Sequence, residues 1–77
     1  MEFHLINGGW AIHAKPEDTA RWSATGAWPY SGLCGRSVFV KVVDGHVVHL
    51  ECYPDPGDLE DAEVAAFMDW ALAEKRS

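Results

Sequence analysis

Two stretches rich in β-branched residues, SVFVKVV and HVVHLECY, flank the dipeptide Asp44-Gly45, and no other part of the chain restricts its fold as tightly. Valine-rich segments joined through a short glycine turn pair as an antiparallel hairpin. A two-residue turn would mix Val38, Val40 and Val42 with His49 and Glu51 on one face. A three-residue loop, Val43-Asp44-Gly45 with Gly45 in the left-handed bulge position, instead pairs Val42 with His46. The second register is expected, because it gathers Val38, Val40, Val42, Val48, Leu50 and Cys52 on one side, and burial separates registers one residue apart.

A second hairpin is expected around Asn7-Gly8, a dipeptide suited to a type I′ turn, with strands over residues 2–6 and 10–14. Pairing Ile6 with Gly9 sets Leu5 opposite Trp10 and Phe3 opposite Ile12. Phe3, Leu5, Trp10, Ile12 and Ala14 then form the core face, and Glu2, His4, Ile6, Ala11 and His13 the other. Pro16, Glu17 and Asp18 read as a first helical turn: proline presets φ, and the carboxylates sit near the positive end of the peptide dipoles. This helix is expected to run to about Thr25 and to stop at Gly26. AWPYSGLCGR, from Ala27 to Arg36, reads as a loop carrying Trp28 and Tyr30.

Beyond the turn formers Pro54 to Gly57, Asp58 or Asp61 is expected to cap a helix lasting to about Glu74. Val64, Met68, Ala71 and Leu72 share one stripe of it, bordered by Phe67 and Ala65, and should cover the sheet. Trp70 points away from that stripe, into a strip shared with Ala62, Ala66 and Ala73 and bordered by Glu63, Asp69 and Glu74. The fold class that follows is α+β, a mainly antiparallel sheet of about four strands from two hairpins with a C-terminal amphipathic helix on one face. A ubiquitin-like grasp has a related element order, although the final helix here is longer than that fold expects.

At 77 residues with 48% hydrophobic side chains, residues 1–77 make one small globular domain without room for an enclosed substrate chamber. Charge is distributed unevenly. Up to residue 50, Glu2, Glu17, Asp18 and Asp44 balance Lys15, Arg21, Arg36 and Lys41; beyond it, eight acids face only Lys75 and Arg76, which supplies the whole net charge of -6. An acidic pole repels phosphate backbones, so direct nucleic-acid binding is not expected, and a basic protein surface is the more natural partner. No apolar run approaches the length of a membrane span, and MEFHLINGGW lacks the basic flank and apolar stretch of a signal peptide. The chain therefore reads as cytoplasmic. Cys34 and Cys52 form neither a CxxC pair nor a zinc pattern and read as free thiols.

Motifs for chemistry are sparse. The first hairpin's outer face brings Glu2 opposite His13 and His4 one diagonal step away, which makes Glu2, His4 and His13 the candidates for a metal. His46, His49 and Cys52 cannot converge along one strand, because alternation sends His49 to the opposite side. Cys34 has no nameable base, and GLCGRS matches neither the phosphate loop nor the dinucleotide fingerprint. The carboxylates at the start of the last helix are explained by capping. Accordingly no enzymatic activity and no cofactor are expected.

The expected function is a small acidic protein-binding module, an inhibitor or adaptor docking on a basic surface of a larger nucleic-acid-handling protein. Phage-encoded anti-defence inhibitors, anti-CRISPR proteins among them, are of this general type, although no motif is shared with them. The expected contact residues are Trp70, Asp58, Glu60, Asp61, Glu63, Asp69 and Glu74, with Trp28 and Tyr30 from the loop. Two alternatives remain: a metal- or ligand-binding accessory protein using the histidine face, and a self-associating structural subunit, so the chain is expected as monomer or homodimer.

Overall fold

The computed structural model describes residues 1–24 and 32–76, and its elements run β1 (Glu2–Ile6), β2 (Gly9–Ala14), α1 (Pro16–Ala24), β3 (Ser37–Val43), β4 (His46–Tyr53) and α2 (Asp61–Arg76). The four strands form one open antiparallel sheet in the order β1-β2-β3-β4. This is the expected α+β class, and neighbours in sequence are neighbours in the sheet throughout, which sets the grasp topology aside.

The first hairpin has the register that hydrophobic alternation demands: Phe3 faces Ile12, Leu5 faces Trp10 and Ile6 faces Gly9. Its turn differs from expectation. Only Gly8 takes a positive φ, while Asn7 does not, so the turn is not type I′. The Gly8 carbonyl accepts a hydrogen bond from Asp44 N at 3.0 Å, tying this turn to the next one. That next turn has positive φ at both Asp44 (52°) and Gly45 (78°), the pattern of a two-residue type I′ hairpin.

The expected three-residue loop is thereby corrected. Val43 pairs with His46 and Val42 with Val47; the register then slips at Lys41/Val42, so that Lys41 pairs with His49 and Val40 with Leu50. Val48 is the extra residue of a β-bulge. One added residue restores the parity that the tight turn would have broken, so Leu50 and Cys52 still face the core side while Val48 is expelled and exposed. A second correction concerns Leu5, which is 77% exposed and not core. It lies on the edge strand β1, and α2 ends over Trp10, where the Lys75 ammonium sits 3.7 Å from the ring centroid.

Helix α1 begins with Lys15 as its cap. The Lys15 carbonyl accepts from Asp18 N and Thr19 N, and Asp18 Oδ2 accepts from Lys15 N at 3.0 Å, the carboxylate half of a capping box. Thr19, fully buried, locks the helix to the start of β3: its hydroxyl donates to the Arg36 carbonyl at 2.8 Å and accepts from Arg36 N at 3.1 Å.

The core lies between the sheet and both helices. Ile12, Ala14, Val38, Val40 and Val42 supply the sheet side, Trp22 comes from α1, Leu33 from the following segment, and Phe67, Met68 and Ala71 from α2. Trp22 meets Phe67 edge-on, with centroids 5.4 Å apart and planes at 83°, a favoured aromatic geometry. Among the described residues, no helix covers the opposite sheet face.

Candidate functional site

The wall formed by β4, the 54–60 connection and the first half of α2 carries most of the expected carboxylates. Asp58, Glu60, Asp61 and Asp69 are all exposed there, as helix starts and connecting turns favour. Among the described residues, the arginine ion pairs go elsewhere: Arg21 Nη2 lies 3.7 Å from both Asp18 Oδ1 and Glu74 Oε2. The guanidinium of Arg36 is engaged by the Pro54 carbonyl. Arg36 thus places one cation at the Pro54 end of the wall, while among the described residues no lysine or arginine pairs with Asp58, Glu60, Asp61 or Asp69.

Two depressions mark this wall. One, of about 500 Å³, lies between β4 and α2, where Val47, Leu50, Val64 and Leu72 line an apolar trough with Asp61 and Asp69 among its walls. The other, of about 480 Å³, runs from Leu50 and Cys52 past Asp55 and Asp58 to Leu59. No lysine or arginine lines either one. Burial pushes the Cys52 thiol up, opposed by Arg36 and reinforced by Asp55 and Glu63, so this cysteine stays a neutral apolar wall. Cys34 is an exposed free thiol.

The remaining expected contact residues are placed differently. Glu63 turns inward, 5% exposed, and accepts from Leu33 N at 3.3 Å, so it holds the 32–33 segment against α2 and does not present charge outward. Trp70 is half-buried, with Trp22 and Phe67 at centroid distances of 6.5 and 6.1 Å and the Arg21 guanidinium 5.5 Å above its ring. It faces α1, as does Glu74. Trp28 and Tyr30 lie outside the described residues.

The other face of the sheet carries the histidines. Glu2 Oε2 lies 3.7 Å from both His4 Nε2 and His13 Nδ1. His13 also shares a 3.1 Å hydrogen bond with Ser37 Oγ through Nε2 and stacks on Phe39 at 4.1 Å and 7°. Further along, His49 Nε2 is 2.9 Å from Glu51 Oε1, and the Tyr53 hydroxyl donates to Glu51 Oε2 at 3.2 Å. That bond raises the Tyr53 pKa, as ionisation would set phenolate against carboxylate. Glu2, His4 and His13 are neighbours as expected, but among the described residues no group of three or more such side chains is arranged to hold a metal ion.

Sequence reasoning missed the trough and the role of Val47. The signal was present: two adjacent valines interrupt the alternation of β4, as a bulge does. Among the described residues no helix is long and apolar enough to cross a membrane. Comparison with protein families, curated proteins and solved structures returned no match to this chain, so the functional reading rests on its own residues.

Proposed function

We propose that this protein is a non-enzymatic protein-binding module that docks its acidic C-terminal third on a basic surface of a larger, nucleic-acid-handling protein, as an inhibitor or adaptor. The observation that carries this reading is the β4–α2 wall, where exposed carboxylates surround two apolar-floored depressions that no lysine or arginine lines. An apolar floor supplies desolvation energy and a charged rim selects the partner, the anatomy of a specific protein interface. Carboxylates standing where a phosphate backbone would otherwise lie make competition with nucleic acid the natural mode of action. Glu63 and Trp70 support the wall from behind: one fixes the 32–33 segment, the other packs α2 against α1.

The test compares the wild type with a variant carrying Asp58→Lys, Glu60→Lys, Asp61→Lys and Asp69→Lys, each immobilised and exposed to a nuclease-treated cell extract. The expected result is a protein retained by the wild type, lost by the variant and displaced by added duplex DNA or by RNA. Retention of the same proteins by both forms, with the variant shown to be folded by circular dichroism, overturns the reading.

A further inference from the structure

β4 is an edge strand eight residues long, and among the described residues nothing pairs with its outer side. Proteins blunt such edges with lysine, proline, a covering loop, or a bulge, which here is confined to Val48. β4 has neither lysine nor proline within it, and it exposes Val47 and Val48 by 40% and 59%. Its bulge at Val48 confines regular backbone to the stretch from His49 to Tyr53. A chain paired along that stretch would have one row of side chains beside His49 and Glu51 and the other directed over the trough between β4 and α2. The trough measures about 500 Å³, enough for more than one aliphatic side chain, and Asp61 and Asp69 stand at its walls.

Resting on the protein-binding reading above, we propose that the partner contributes an extended segment that adds to β4 as a fifth, outermost strand, with an apolar residue seated in the trough and basic residues beside Glu51, Asp61 and Asp69. Main-chain hydrogen bonds to β4 supply affinity, and the trough with its carboxylates supplies selection. Charge complementarity commits the occupant. A second copy of this chain would bring His49 and Glu51 to the edge without any lysine or arginine from its own β4, whereas a segment carrying basic and apolar residues in each row satisfies both.

The probe is a blocked eight-residue peptide of two lysines, a valine and a leucine repeated, so that each face of the strand alternates lysine with an apolar residue, titrated into the intact protein and followed by amide hydrogen exchange. Binding is expected, with alternate β4 amides gaining at least tenfold protection. The same peptide N-methylated at alternate positions, which keeps every side chain but loses donors along one edge, is expected to bind at least tenfold more weakly. Replacing its lysines by glutamates should abolish binding, and Asp61→Asn with Asp69→Asn should weaken it severalfold. Equal affinity for the N-methylated peptide, protection elsewhere than β4, or no binding at all overturns strand addition; so does a wild-type dimer protected at β4 without peptide. The larger reading is judged separately: if the charge-reversed variant still loses its nucleic-acid-displaceable protein while the peptide fails, docking uses the carboxylate wall without the strand edge.

Discussion

Single side chains determine this fold where the backbone leaves them no alternative. At Gly9, a Cβ would stand 1.7 Å from the Val42 carbonyl oxygen, because β2 and β3 approach closely at the pair Gly9–Val43. Backbone, unlike a side-chain tip, has no rotamer to yield. Gly9→Ala is expected to cost about 2–3 kcal/mol, in the range of overpacking substitutions, measured by chemical denaturation. Asp18 is constrained by charge. Burial raises its pKa, but the Lys15 N–H, the Met1 amino group 3.1 Å away and Arg21 together outweigh burial and hold it below the ordinary carboxylate value. A depressed folded pKa means that the stabilisation is present above the unfolded value of about 3.9 and is lost as pH falls through the folded value. Asp18→Asn should therefore cost about 1–2 kcal/mol near neutrality, the worth of a charge-assisted cap. The stability gap between the two proteins should close as pH falls from neutrality through the lowered folded pKa of Asp18; a gap that stays constant throughout would assign Asp18 a purely steric role.

At the level of elements, alternation and turn residues made the four strands and both helices legible, since Phe3/Ile12 and Val38/Val40 admit one buried face each. What escaped the sequence was the geometry of both turns. Asn7-Gly8 and Asp44-Gly45 have similar local preferences, and the Asp44-to-Gly8 hydrogen bond, a tertiary contact, accompanies the division of conformations between them. Strand order was equally hidden, because it depends on α1 returning the chain beside β2, a placement secured by Thr19 and Arg36 far apart in sequence. Within the candidate site, the exposed carboxylates were legible from composition, but the inward turn of Glu63 was not: its partner is a backbone N–H thirty residues away. The bulge makes a sharp prediction. Removing Val48 altogether leaves the pairs Val43–His46, Val42–Val47, Lys41–His49 and Val40–Leu50 intact as a regular hairpin. Such a deletion should preserve cooperative unfolding and alter stability by no more than about 1 kcal/mol, since a bulge contributes twist and not burial. Loss of folding would show that the strand needs its extra residue for more than register. Phe67→Ala, by contrast, should cost about 3–5 kcal/mol by emptying the space against Trp22.

Across the whole molecule, electrostatics and packing divide the labour. Near the junction of α1 and α2, Arg21 bridges Asp18 and Glu74 and covers Trp70, so the cation there is spent inside the fold. At the β4 side the carboxylates face solvent, and the molecule as a whole keeps a net charge of -6. A field of this kind acts before contact. It concentrates basic partners near the wall and accelerates their encounter, and salt screens it with a Debye length of about 10 Å at 0.1 M. The lysine-bearing peptide should consequently associate more slowly as ionic strength rises, by about tenfold between low salt and 0.5 M, while its dissociation rate changes far less. Replacing Asp58, Glu60, Asp61 and Asp69 by their amides removes four negative charges and should flatten that dependence without disturbing the trough. Stopped-flow fluorescence through the native tryptophans measures both rates. If the neutralised protein kept the full salt dependence, the charge that matters would lie away from the wall, beside Glu2 on the histidine face, and the docking surface would have to move with it.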